Sequence, residues 1–331
     1  MKQFFQYGIS SVVLSLLLIG CAKDDGSADF EKGNIALKEG RLEEAANLFQ
    51  SAAAKNPTNF TTRLTLAIAN LNLGEIDKAE KAITSALSLD PDSAEAFLVE
   101  GQVAYERKEY RRALSNFGAI SSESSLPKAI RSNALVSRGI VNYITSSFDA
   151  SRVDILKAMA LDARNAAAWY QFGVLSRDSR YFEAALIQFN MASRCLPKGD
   201  SRIERIERKI LPDLRKRMEA DAKSLIGKVS KTPLEDANKI AASVKKASDV
   251  DKALAAYRLA MAAKPFSQKV YNDAVAFAKS KGRWAIVVEF LQRSIMHQPG
   301  DKRTVAAMIE ALPKVGRKKE VAMWKEYLSL L

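Results

Sequence analysis

Between Ala166 and Pro197 the chain reads AAAWYQFGVLSRDSRYFEAALIQFNMASRCLP, and this stretch limits what the whole can fold into. Trp169, Phe172, Gly173, Ala185, Phe189, Ala192 and Pro197 stand at its positions 4, 7, 8, 20, 24, 27 and 32. Large and small residues recur at helical spacing on both sides of a polar break. The pattern predicts two antiparallel helices. Gly173 and Ala185 let the backbones approach, Trp169 and Phe189 fill the space on either side, and Pro197 ends the second helix.

The pattern recurs with a fixed period. Pro57 and Pro91 are 34 residues apart, as are Pro265 and Pro299. A first repeat over about 26–59 carries Gly33, Gly40, Ala45, Phe49, Ala52 and Pro57. A second, about 60–93, has Ala67, Gly74, Ala79, Ile83, Ala86 and Pro91. The third, about 94–127, has Gly101, Ala113, Phe117 and Ile120, and the fourth, about 132–165, has Gly139, Tyr143, Ile155 and Ala158. After the fifth, described above, register returns over about 234–267 with Ala253, Tyr257, Ala260 and Pro265. It continues over about 268–301 with Tyr271, Gly282, Leu291 and Pro299.

This spacing resembles the tetratricopeptide repeat. The resemblance implies an all-α superhelix, an α-solenoid of antiparallel helix pairs in which each pair contacts its neighbours. The residues between the two arrays behave differently. Ile203, Ile206, Ile210, Leu214, Met218, Ala222, Leu225 and Val229 recur every three or four positions, which predicts one long amphipathic helix with a kink at Pro212. Its RxxRxxRK face, flanked by Glu204 and Glu207, reads as solvated and salt-bridged. A last helix pair over about 302–331, with Pro313 inside its first helix, reads as the terminal cap.

At the N-terminus, Lys2 precedes an apolar run from Ile9 to Ile19 and then LIGC, ending at Cys21. The run is shorter than the roughly 18 apolar residues of a spanning helix and fits a secretory leader. LIGC resembles the lipobox of bacterial lipoproteins, which implies cleavage before Cys21 and acylation of its sulfur. Two or more acyl chains give stable membrane attachment. Ala22 stands where an Asp would favour inner-membrane retention, so the resemblance implies the outer membrane, facing the periplasm. The expected organisation is a lipoprotein signal peptide over 1–20, a lipidated flexible tether over 21–29 and an array of about five repeats over 30–199. A charged helical spacer follows over 200–232, and a second array with cap helices over 233–331.

The charge is polarised. The formal net charge is +13. Residues 26–125 carry 11 Lys/Arg against 15 Asp/Glu, a net of −4, while residues 201–331 carry 28 against 15, a net of +13. Such polarity bears on partners rather than on fold. Chemistry is scarce. One His and two Cys leave little for a metal or a nucleophile, and no phosphate loop, dinucleotide fingerprint, HExxH or GxSxG occurs. His297 lacks an orienting motif and reads as structural, and Cys195 as a small buried hydrophobe. The expectation is a non-enzyme with no cofactor, no metal, no small-molecule substrate and no nucleic acid partner.

In the tetratricopeptide family, first-helix positions 2, 5, 9, 12 and 13 line a concave groove. By register, the resemblance implies an apolar, aromatic half formed by Leu64, Ile68, Leu98, Gln102, Tyr105, Val136, Ile140 and Tyr143. A second, basic half would hold Tyr170, Arg177, Asn238, Lys245, Lys246, Asn272 and Lys279. The expected function is a lipid-anchored periplasmic scaffold or adaptor that binds a protein or peptide in this groove during cell-envelope assembly. The alternative is direct binding of an anionic envelope polymer, wall glycan or lipopolysaccharide, by the basic C-terminal half.

Overall fold

The computed structural model describes residues 25–225, 228 and 230–331, so the leader and Cys21 lie outside the described residues. Every regular element among the described residues is helical. The chain divides into two units, one up to Ala168 and one from Trp169.

Unit 1 is a stack of helix pairs: α1 Ser27–Lys38 with α2 Leu42–Lys55, α3 Phe60–Leu73 with α4 Ile76–Leu89, α5 Ala94–Glu106 with α6 Tyr110–Ser122, and α7 Lys128–Ile144 with α8 Phe148–Leu161. Each second helix packs on the first helix of the next pair, and α3, α5 and α7 touch in turn. The pairs close because a small residue at position 8 (Gly33, Ala67, Gly101 or Gly139) faces a large residue at position 24. A Cβ on Gly101 would stand 2.5 Å from Phe117 Cε1, and one on Gly33 2.7 Å from Phe49 Cε1. Both rings are fully buried. Four hydrophobic cores of this kind, repeated at one spacing, make a stack rather than a single central core.

The link inside each pair has one geometry. Gly40 and Gly74 adopt φ of 77° and 78°, and the same repeat position holds Lys108 at 63° and Ser146 at 62°. The following amide bonds back to the carbonyl five residues earlier, as in Glu75 N to Asn70 O at 2.9 Å and Glu109 N to Ala104 O at 2.8 Å. This is the left-handed helix ending that satisfies two terminal carbonyls at once.

Unit 2 starts inside α9, Ala166–Asp178, which pairs with α10, Phe182–Cys195. Phe189 is fully buried, and a Cβ on Gly173 would lie 3.0 Å from its ring. The aromatic partner seen against Phe189 is Tyr170, with centroids 5.0 Å apart, while Trp169 is half-exposed. One residue is 100° around a helix, which turns position 5 of this pair toward α10.

The expected long helix is shorter and carries a defect. It runs as α11 Ser201–Arg205, a π-turn Ile206–Ile210, and α12 Leu211–Leu225. Leu211 N donates to Ile206 O, five residues back, which widens the turn just before Pro212. The wider turn relieves the clash that the proline ring makes with the carbonyl four residues earlier. It also shifts the buried stripe. Ile206, Leu211 and Leu214 are buried, whereas Ile210 and Met218 are half-buried and Ala222 is exposed. The three-and-four spacing therefore predicts the wrong residue at 210. The basic face is exposed, with Arg208 paired to Glu204 at 2.7 Å.

Three pairs follow: α13 Pro233–Ala242 with α14 Ala247–Ala263, α15 Gln268–Ser280 with α16 Trp284–His297, and α17 Lys302–Ala311 with α18 Val321–Leu330. The first helix of the last pair ends before Pro313, which opens a 3-10 turn over Leu312–Val315. In α18, Trp324 and Tyr327 are buried, and Tyr327 donates its hydroxyl to Pro299 O.

Candidate functional site

In unit 1 the expected groove residues are packed inside the stack. Leu64, Ile68, Leu98, Gln102, Tyr105, Val136 and Ile140 are all buried. Contact between successive first helices fills the inner positions, so these side chains are core rather than a readable surface. Tyr143 stays half-exposed and meets the exposed Phe148 edge-on at 5.6 Å. Gln102 is 1% exposed, and both of its amide heteroatoms lack a protein partner.

In unit 2 the expected basic half is dispersed. Tyr170 is core, and burial raises its hydroxyl pKa. Arg177 is half-buried and pairs with Asp178 at 2.7 Å. Asn238 joins three helices: Tyr257 donates to its Oδ1 at 2.7 Å, and its Nδ2 donates to Asp273 Oδ2 at 3.1 Å. Lys245 and Lys246 are exposed but do not lie on a first helix. Because α13 stops at Ala242, both stand in the link, where their amides bond to Asp249 and cap α14.

Two of the expected residues do share a site. Asn272 and Lys279 line a cleft of about 240 Å³ between α15, α16 and α17. Its apolar lining includes Ala276 and Leu291. Two polar atoms in its wall are buried with no protein partner, Gln268 Oε1 and Ser294 Oγ. Gln268 is oriented, since its Nε2 donates to Asn272 Oδ1 at 3.0 Å and leaves the carbonyl as the unused acceptor. Lys279 pairs with Glu310 at 2.8 Å and lies 5.9 Å from the Trp284 ring centre, while Arg303 is exposed beside the cleft. The volume lies below the roughly 300–1,000 Å³ of sites that enclose a small molecule. It suits one or two side chains of a longer segment, with an N–H directed to Gln268.

Behind the cleft is a cluster that sequence reasoning missed. Tyr271 lines the cleft, and its hydroxyl is 3.4 Å from His297 Nδ1. The imidazole packs between Phe266 at 5.2 Å, Tyr181 at 5.8 Å and Tyr271 at 6.2 Å. His297 Nδ1 lies 2.9 Å from Arg293 O, so in the neutral ring that nitrogen carries the proton. Nε2 is buried and has no partner. Burial lowers the His297 pKa to about 4 and raises that of Tyr271 to about 12. The signal for this cluster was a lone His beside a proline, which does not reveal partners distant in sequence. Cys195 is half-buried, more open than expected.

Residues 36–103 match the tetratricopeptide repeat family. That segment carries tetratricopeptide repeats. A stretch of 190 residues, 54% of this chain, is 25% identical to the human protein O-mannosyl-transferase TMTC1 and spans 21% of that protein's length. Among solved structures, Pseudomonas aeruginosa PilF is similar over 61% of this chain and 90% of its own, with 18% identity and a TM-score of 0.44. The tetratricopeptide protein TTC0263 of Thermus thermophilus is similar over 58% of this chain and 96% of its own, with 20% identity and a TM-score of 0.43. A tetratricopeptide-repeat fold supports protein–protein interaction in general, and scaffolds of this type are typically non-catalytic.

Proposed function

We propose that this chain is a protein-binding scaffold of the bacterial cell envelope, and that the cleft between α15, α16 and α17 seats a short segment of its partner. The observation that carries the reading is the pair of unpartnered buried atoms, Gln268 Oε1 and Ser294 Oγ, in a cleft with an apolar lining. A buried polar group without a partner costs about 1–3 kcal/mol. A partner's backbone N–H at Gln268 and a polar side chain at Ser294 would recover that cost, while an apolar side chain would rest on Ala276 and Leu291. Arg303 beside the cleft favours an acidic residue in the same segment.

The envelope setting rests on the leader and LIGC, with Cys21 as the acylated residue and the outer membrane as the attachment surface. Ala276 is exposed in the wall of the cleft, and Ala276→Phe places a ring in that space. If the filled chain, folded by circular dichroism, retains the same partner in cells as the unaltered chain, the cleft is not the binding site.

A further inference from the structure

One end of unit 2 carries cations that the cleft does not use. Trp284 opens α16, and its ring lies 5.9 Å from both Lys279 Nζ and Lys314 Nζ. Lys281 Nζ sits 5.8 Å from the Phe277 ring, and Lys318 and Lys319 follow within five residues of Lys314. The neighbouring carboxylates are already engaged: Glu310 by Lys279, Glu320 by Arg317 and Asp251 by Arg283. Lys281, Lys314, Lys318 and Lys319 are exposed, and among the described residues no carboxylate pairs with them. Four uncompensated ammonium groups thus come from two links, α15 to α16 and α17 to α18.

We propose that this face docks on an anionic phospholipid surface. The occupant follows from the chemistry of Trp284. Polymers with sugars or bases are held by stacking on an open aromatic face, along a groove that tracks the strand. Here the indole already lies against two ammonium groups, which leaves it to fix cations rather than to stack. The lysines come from two links instead of lining a groove. A headgroup layer needs only this density of positive charge, and each Lys near such a surface adds to attachment. The face adjoins the cleft through Lys279, but Lys281, Lys314, Lys318 and Lys319 do not line it, and the contact does not depend on the peptide-binding reading.

The test uses the full chain with Cys21→Ser, so that no acyl chain holds it, and phosphatidylcholine vesicles with or without about 30% phosphatidylglycerol. The expected result is retention on the anionic vesicles only. It should weaken as salt rises from about 0.05 to 0.5 M, and drop about tenfold or more in K281Q/K314Q/K318Q/K319Q. The corresponding Lys→Arg set should retain binding. Equal vesicle binding by the Gln variant and the unaltered chain would overturn the proposal. So would binding to inorganic polyphosphate or single-stranded DNA without binding to the anionic vesicles, which would assign the face to a soluble polyanion.

Discussion

Gln188 donates its side-chain amide to the main-chain carbonyl of Met296 at 2.9 Å, across 108 positions of sequence. The bond joins α10 directly to the end of α16, and Tyr181 and His297 meet beside it. A plain stack of pairs, each touching only its neighbours, has no such contact. Unit 2 is therefore tied across several helices, with the tie resting on the element that forms one wall of the cleft.

That tie has a measurable strength. Gln188 is 3% exposed, so Gln188→Ala leaves a buried carbonyl without its donor. The expected loss is about 1–2 kcal/mol of unfolding free energy in urea, with an unchanged denaturant slope. An unaltered midpoint would mean that the bond contributes nothing to unit 2.

The links within pairs make opposite predictions for glycine and non-glycine. Lys108, Ser146 and Arg180 all have φ near 62°, at the position where other pairs carry Gly40, Gly74 and Gly282. Each change of these three to Gly should raise stability by up to about 1 kcal/mol. Gly74→Ala should cost about 1 kcal/mol from backbone strain alone, since a Cβ there meets nothing within 4 Å. Gly101→Ala is expected to cost more, about 1–3 kcal/mol, because its Cβ meets Phe117. Thermal melts of the five variants separate strain from overpacking.

Acid should weaken unit 2 through His297. Its folded pKa is about 4 against 6.5 for the free side chain, so the unfolded chain binds the extra proton first. The stabilising contribution is complete above about pH 6.5 and is lost as pH falls from there toward 4, by at most about 3 kcal/mol. His297→Phe should flatten the profile between pH 5 and 6.5, where most carboxylates stay ionised. If the variant and the unaltered chain lose stability in parallel over that range, the buried neutral ring is not the cause.

Membrane attachment is predicted to depend on Cys21. Cys21→Ser should move the chain from the outer-membrane fraction to the soluble fraction at high salt, where the lysine face around Trp284 is screened. Unchanged fractionation at high salt would count against the anchor.

What was legible in the sequence was local. Gly33 with Phe49 and Gly101 with Phe117 declare a helix pair because their spacing within one repeat fixes the contact. Asn272 and Lys279 were placed by the same register, since α15 has the full length of a first helix. Lys245 and Lys246 were misplaced because α13 ends at Ala242, and register says nothing about where a helix stops. The π-turn before Pro212 escaped for a related reason: a period of 3.6 cannot announce its own interruption. The Gln188–Met296 bond and the His297 cluster escaped because their partners are far apart in the chain. The unit 1 groove became core because position alone does not tell an inner surface from packing between first helices.

The cleft is tested most directly by a photo-reactive amino acid placed in intact cells at Asn272, with Lys216 on α12 as the outward control. The account predicts one partner protein crosslinked from Asn272, absent from Lys216 and lost when Ala276→Phe is added. Identical products from both positions, or a crosslink that survives the filled cleft, would contradict it.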